Sequence, residues 1–115
     1  MTNKPDYLCL VRMDVDPDNE EVFNDLYDNE HIPVLLKVPG VLSATRYVVS
    51  NEGAPGFLAG PDTPKYLTLY EVEGPDVPGG DAFTAASDSG EFPGKVRPHL
   101  TNGSLIIYRR LTPSE

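Results

Sequence analysis

An α+β fold of the ferredoxin-like kind is what this sequence predicts: an antiparallel sheet of four strands with two helices on one face. Three observations lead to it. Strand-rich segments at residues 7–13, 41–49, 65–72 and 103–111 are separated in the order β-α-β-β-α-β. The first helical pattern is amphipathic and carries clear start signals. At 115 residues the chain can build one hydrophobic core but not two, so residues 1–115 read as one domain.

The first strand, Tyr7-Leu8-Cys9-Leu10-Val11-Arg12-Met13, is rich in β-formers. Asp16-Pro17 supplies an N-cap aspartate with proline at the first helical position, and Asp18, Glu20 and Glu21 complement the helix dipole. Val22, Phe23, Leu26 and Tyr27 recur at helical spacing, predicting a helix over 17–30. His31 comes four residues after Tyr27, so it continues the apolar face and points toward the sheet. Pro33 lacks a backbone donor and disfavours helix at Ile32, which predicts a kink or a short second helical segment over 34–38, stopped by Pro39-Gly40.

In the second strand, alternation puts Leu42, Ala44, Arg46 and Val48 on one face and Val41, Ser43, Thr45, Tyr47 and Val49 on the other. Residues 50–64 turn to Gly, Pro, Asn and Asp, a loop whose length suits a mobile flap beside a pocket. In the third strand Tyr66, Thr68 and Tyr70 share a face that Glu71 does not. Asp81 is expected to cap a short helix through Ala82, Phe83, Ala85 and Ala86, and residues 90–98, with two prolines, read as irregular. The last strand carries Leu105, Ile107 and Leu111 on one face and Ile106 and Tyr108 on the other. Two helices cover one sheet face only, and a large apolar patch left in water is rare. A homodimer that seals the second face is therefore expected.

The balance of charge narrows the partners. A net charge of −9 with nine Lys and Arg in all leaves no basic patch for nucleic acid or for an anionic membrane surface. The longest apolar runs are far short of a membrane span, and the polar first residues do not resemble a signal peptide. The lone cysteine, Cys9, has no internal disulfide partner, which points to the cytoplasm, and its apolar strand makes it a small buried hydrophobe. Asp14, Asp16, Asp18 and Asp25 mimic the acidic spacing of a calcium loop. Yet Asn19 stands in place of the turn glycine and Pro17 intrudes, so a capped helix start explains them better. With no Cys/His cluster, phosphate-cradling loop or dinucleotide fingerprint, no metal or nucleotide cofactor is expected.

The candidate chemistry centres on His31, whose unperturbed pKa suits general acid–base work near neutrality; the bland alternative is a helix-end histidine packed on Tyr27. Arg46, mid-strand, could clamp a carboxylate or enolate with its forked donors, or pair with Glu71 or an acidic helix residue. Tyr47, Tyr66 and Tyr70 could bring hydroxyls to a ligand carbonyl, while tyrosines in strands are also ordinary core. Phe23 and Tyr27 offer an aromatic helix face, and His99 sits in the loop before the last strand.

The element order, together with Glu30-His31-Ile32-Pro33, Pro39-Gly40-Val41, Arg46-Tyr47 and the 65–71 run, resembles the dimeric α+β barrel superfamily, and EthD-like proteins most of all. The superfamily also includes muconolactone-isomerase-like enzymes, polyketide-cyclase-like proteins and antibiotic-biosynthesis monooxygenases. The resemblance implies a pocket between sheet and helices that accepts a small, often aromatic or lactone-like molecule, with His31 at the position of the histidine that several members carry after the first helix. The chain departs from the commoner pattern in having no tryptophan. The activity so implied is a cofactor-independent isomerisation, cyclisation or oxygenation of a hydrophobic cyclic carbonyl or phenolic molecule. In it His31 moves the proton while Arg46 and Tyr66 or Tyr70 hold the oxyanion. The alternative is a non-catalytic ligand-binding or accessory protein of a catabolic or biosynthetic pathway.

Overall fold

The computed structural model describes residues 5–112 and has the expected element order. Strands β1 (Tyr7–Val15), β2 (Val41–Val48), β3 (Tyr66–Val72) and β4 (Leu100–Arg109) form one sheet in the order β2-β3-β1-β4, and all neighbours are antiparallel. Helices α1 (Glu20–Leu26), α2 (Ile32–Leu35), α3 (Asp81–Ser87) and α4 (Phe92–Lys95) lie on one face. Among the described residues no helix is long and apolar enough to cross a membrane.

The core lies between that face and the helices. Cys9, Val11 and Met13 of β1 and Tyr70 and Val72 of β3 meet Phe23, Tyr27, Leu35, Phe83 and Phe92, all buried. Cys9 is fully buried and burial raises its thiol pKa, as fits a packing residue.

Of the two outcomes expected at Pro33, the short second segment is what the structure shows, as α2, although it starts at Ile32 and not at Val34. A 3₁₀ turn (Pro17–Asn19), α1, a π turn (Tyr27–His31) and α2 follow one another without a break, and Pro33 sits in the first turn of α2. In the π turn the Ile32 N–H reaches the carbonyl of Tyr27, five residues back. The wider turn makes room for the pyrrolidine ring, which in a regular helix clashes with a carbonyl of the preceding turn. It also solves a problem of spacing. The buried residues Phe23, Tyr27, His31 and Leu35 recur every fourth position, and in a regular α-helix that stripe drifts by about 120° over three steps. One extra residue in the π turn cuts the drift to about 20°, so all four face the sheet.

Two more expectations are corrected. Strand β2 pairs Val41 with Val72 but Ser43 with Glu71, so a bulge at Leu42 resets the alternation. Val41 therefore faces the helices along with Ala44 and Arg46, and Leu42 is half exposed. Residues 90–98 are not irregular: they form α4 and a 3₁₀ turn (Arg97–His99). The reason lies far away in sequence. Both carboxylate oxygens of Glu30 accept from the Glu91 N–H at 2.9 and 3.0 Å, and one also accepts from the Phe92 N–H at 2.8 Å. A carboxylate on the free donors of a helix start satisfies them and complements the dipole. Gly90 lets it approach: its φ is +72°, and a Cβ there would meet the Glu30 carboxylate at 2.5 Å.

The Cα trace measures 44 × 40 × 20 Å, a slab of one sheet and one helix layer. The outer sheet face presents half-buried Leu8, Leu10, Leu67 and Leu69 together with Ile106 and Tyr108, which are 39% and 50% exposed.

Gly90→Ala is expected to destabilise the protein by about 2 kcal/mol in urea titration, since it combines a left-handed backbone cost with loss of the Glu30 cap. Gly94, inside α4 with open space around its Cα, is the control: Gly94→Ala should be neutral or stabilising by about 0.5 kcal/mol. Equal losses at the two positions would contradict the capping account.

Candidate functional site

The π turn, β1, β3 and the α3–α4 region enclose a cavity of about 140 Å³ beside His31. Its walls are mainly apolar, drawn from Val11, Met13, Leu35, Phe83, Phe92 and Leu105, with the phenol groups of Tyr27 and Tyr70 added. Ser87 and Arg97 stand at one side, and Leu105, 67% exposed, forms the wall next to solvent.

His31 is 6% exposed. Its ring stacks on Phe92 with centroids 3.9 Å apart and planes 13° from parallel, and Tyr27 meets it edge-on at 5.1 Å. Nδ1 is buried and has no hydrogen-bond partner. Burial, aided by the positive charge of Arg97 and opposed by Glu30, pushes its pKa down to about 4. The imidazole is therefore uncharged at neutral pH, not poised at half-protonation as its ordinary pKa suggested. In that form its unpartnered nitrogen suits accepting or offering one hydrogen bond to a ligand. Burial raises the phenol pKa of Tyr27 and of Tyr70, so both stay protonated and can act as donors.

Arg46 is on the helix side of β2 but lines a different cleft. That cleft is about 490 Å³, more open, and bounded by Asn24, Asp28, Tyr47, Val48 and Tyr66. Its guanidinium donates to Asp28 Oδ1 at 2.8 Å and Asn24 Oδ1 at 2.9 Å and lies over the ring of Tyr27, 4.4 Å from the centroid. Pairing with an acidic helix residue, the structural alternative for Arg46, is thus what occurs, the residue being Asp28. Glu71 instead accepts from Ser43 Oγ at 2.8 Å on the other sheet face. The expected joint action of Arg46 and His31 on one ligand finds no support, because Tyr27 stands between the two clefts. Arg46 thus meets the His31 cavity only through the ring of Tyr27, which lines it.

The other expected site residues divide. Phe23 is fully buried and packs against Tyr27 and Tyr66 without lining the cavity. Tyr66 borders the Arg46 cleft, and its hydroxyl bonds Glu20, which also holds Lys65 at 2.6 Å. Tyr47 is half exposed at the rim of that cleft. His99 lies outside both clefts: its Nδ1 faces Asp16 Oδ2 at 3.3 Å and its carbonyl accepts from the Asp16 N–H, tying the helix start to β4. The 50–64 loop lies between β2 and β3 and is exposed from Ser50 to Thr63. None of its residues lines the Arg46 cleft or the His31 cavity, so the flap expected beside the pocket has no counterpart there. Asp14, one of the residues that mimic a calcium loop, accepts from the Lys65 N–H and from Asn102.

Arg97, Phe83, Ser87 and Phe92 line the cavity without having been singled out as site residues. Pro93 in the first turn of α4 was the one local sign that this segment is helical.

No protein-family model and no curated protein matches the chain. Solved structures that share its fold include the following two. An EthD family protein from Bacillus halodurans C-125 superposes with a TM-score of 0.60 at 16% identity, covering 91% of this chain and 99% of its own. The heme-degrader MhuD from Mycobacterium tuberculosis, solved with two hemes bound in its active site, gives 0.53 at 15%, covering 95% and 99%. These likenesses bear out the expected ferredoxin-like α+β fold and, at the level of the fold alone, the resemblance to EthD-like proteins.

The depressed pKa of His31 sets a pH dependence of stability. Between about pH 6.5 and 4 the unfolded chain binds a proton that the folded chain does not, so stability is full above that window and falls as pH drops through it. The loss attributable to this one group is about 3 kcal/mol at pH 4. Urea titrations across the window should show His31→Phe losing that much less than the unsubstituted protein; parallel curves would mean that His31 is protonated in the folded state.

Proposed function

We propose that this protein is a small cofactor-independent enzyme whose His31 cavity takes a hydrophobic single-ring molecule bearing a carbonyl or a phenol. The observation that carries the reading is a buried imidazole with an unpartnered nitrogen among the residues that line a mainly apolar cavity. Buried polar groups are normally bonded, and an exception calls for an explanation; a ligand that completes the bond is the simplest. A cavity of roughly 150 Å³ holds benzene in other proteins, so 140 Å³ fits one ring. A tetrapyrrole of the kind bound by MhuD is far larger, and Phe92 with α4 would have to leave for one to reach His31.

In the proposed reaction His31 accepts a proton from the ligand's hydroxyl or from the carbon beside its carbonyl. Tyr70 or Tyr27 then donates to the oxygen on which charge develops, an interaction that is strong in a dry site. The resulting enolate or phenolate takes the proton back from His31 at another carbon (isomerisation), forms a bond to an electrophilic carbon of the same molecule (cyclisation), or adds dioxygen as a second substrate and oxidant (oxygenation). One observation favours a second reading, a ligand-binding or accessory protein without turnover: with a pKa of about 4, His31 is a weak base.

The apolar outer sheet face supports assembly as a homodimer, a second copy being the natural cover for a surface of complementary leucines.

Two measurements test these readings. With ligands found by thermal-shift screening of phenols, lactones and cyclic ketones, His31→Gln should keep binding and lose about 100-fold or more in turnover. Activity of the unsubstituted protein should stay level through neutrality and fall only as pH drops through about 4, where the base becomes protonated. Binding without turnover under any condition would favour the second reading. For assembly, light scattering at micromolar concentration should give a dimer that Ile106→Lys converts to monomer; a monomeric unsubstituted protein would end the dimer proposal.

A further inference from the structure

Acidic residues outnumber basic ones eighteen to nine in this chain. The lining of the His31 cavity reverses that balance: it contains Arg97 and no carboxylate. The guanidinium is held at the cavity side by the C-terminal end of α3. Nη1 donates to Asp88 Oδ1 at 2.7 Å, and Nη2 donates to the Ser87 carbonyl at 2.8 Å and to Ser87 Oγ at 3.1 Å. An arginine has five N–H donors, so these three bonds fix the guanidinium and leave Nε–H and one Nη1–H, which share no edge and so offer an anion single bonds, not a bidentate pair.

The side chain is 43% exposed and Asp88 is 56% exposed, which puts the group at the cavity's mouth and not in its depth. A fixed, partly exposed guanidinium next to an apolar slot suits a carboxylate on a ring that accepts one charge-assisted N–H···O bond. In a protein of net charge −9, an anion enters only where a local cation offsets the general repulsion.

We infer that the ligand of the His31 cavity carries a carboxylate, which Arg97 binds at the mouth while the ring lies inside and its carbonyl or phenol oxygen reaches His31. The inference rests on the proposed reading of the cavity as a ligand site. It narrows the ligand from any hydrophobic ring to a single-ring acid, and it makes Arg97 a specificity residue. Asp88 then has a second effect. It orients the fork but competes for it, so the anion affinity is held below what the arginine alone would give.

The probes are phenol, 4-hydroxybenzoate and its neutral isostere 4-hydroxybenzamide, titrated by calorimetry. The unsubstituted protein should bind the carboxylate about tenfold more tightly than the amide, the range for a charge-assisted pair at a partly exposed site. Arg97→Gln should bring that ratio to about one. Asp88→Asn, which keeps Arg97 and removes its competitor, should raise the ratio several-fold, whereas an arginine acting only as a structural clasp would leave it unchanged. Phenol binding with no preference for the carboxylate, or a preference that survives Arg97→Gln, overturns the inference while leaving the cavity reading intact. Failure of all three compounds to bind overturns both.

Discussion

The bond from the Glu30 carboxylate to the start of α4 is the interaction on which the site depends. Glu30 belongs to the π turn, and the helix it caps is built from residues 61 and more positions later. A four-residue helix has almost no stability of its own, so α4 exists where that carboxylate puts it. Its first residue, Phe92, is the platform on which the His31 ring stacks. Glu30 and His31 are adjacent in the chain, and one of them builds the surface that the other uses.

From that contact the electrostatics follow. The same helix layer that buries His31 keeps it uncharged, and the phenols around it are kept uncharged by burial as well. The one strongly placed cation on the far side of Tyr27 is Arg46, neutralised by Asp28 and spread over aromatic faces. The cavity is thus a neutral, weakly polar chamber with charge only at its edges. Such a place strengthens each hydrogen bond a ligand makes and gives little to a ligand that is charged throughout.

Much of this was legible in the sequence, for reasons particular residues make clear. The strand order and the first helix were readable because their signals are local: alternation, helical spacing, a proline after an aspartate. His31 was readable as cavity-facing from its distance to Tyr27. Three features were not. The bulge at Leu42 adds one residue to an edge strand without any change in composition. The π turn hides its extra residue inside a stripe of strict four-residue spacing, and Pro33 there looked like a break. And α4 is capped from another element altogether, so its own prolines suggested disorder of form where a helix stands. The separation of Arg46 from His31 was out of reach for the same reason, since it depends on which side of one ring, Tyr27, each residue falls.

The exposure of Leu105 has a bearing on timing. This residue is part of the cavity wall and also two-thirds open to water, on a strand with a neighbour on one side only. The site therefore lacks a sealed inner chamber. A molecule can come and go past one side chain, whose rotamer changes take nanoseconds or less, without a hinge or a lid. Exclusion of water during any reaction then falls to the visitor itself, whose ring has to plug the opening it came through. A compound too small to do so would be bound in a damp site, and the hydrogen bonds from Tyr70 and His31 would be correspondingly weak.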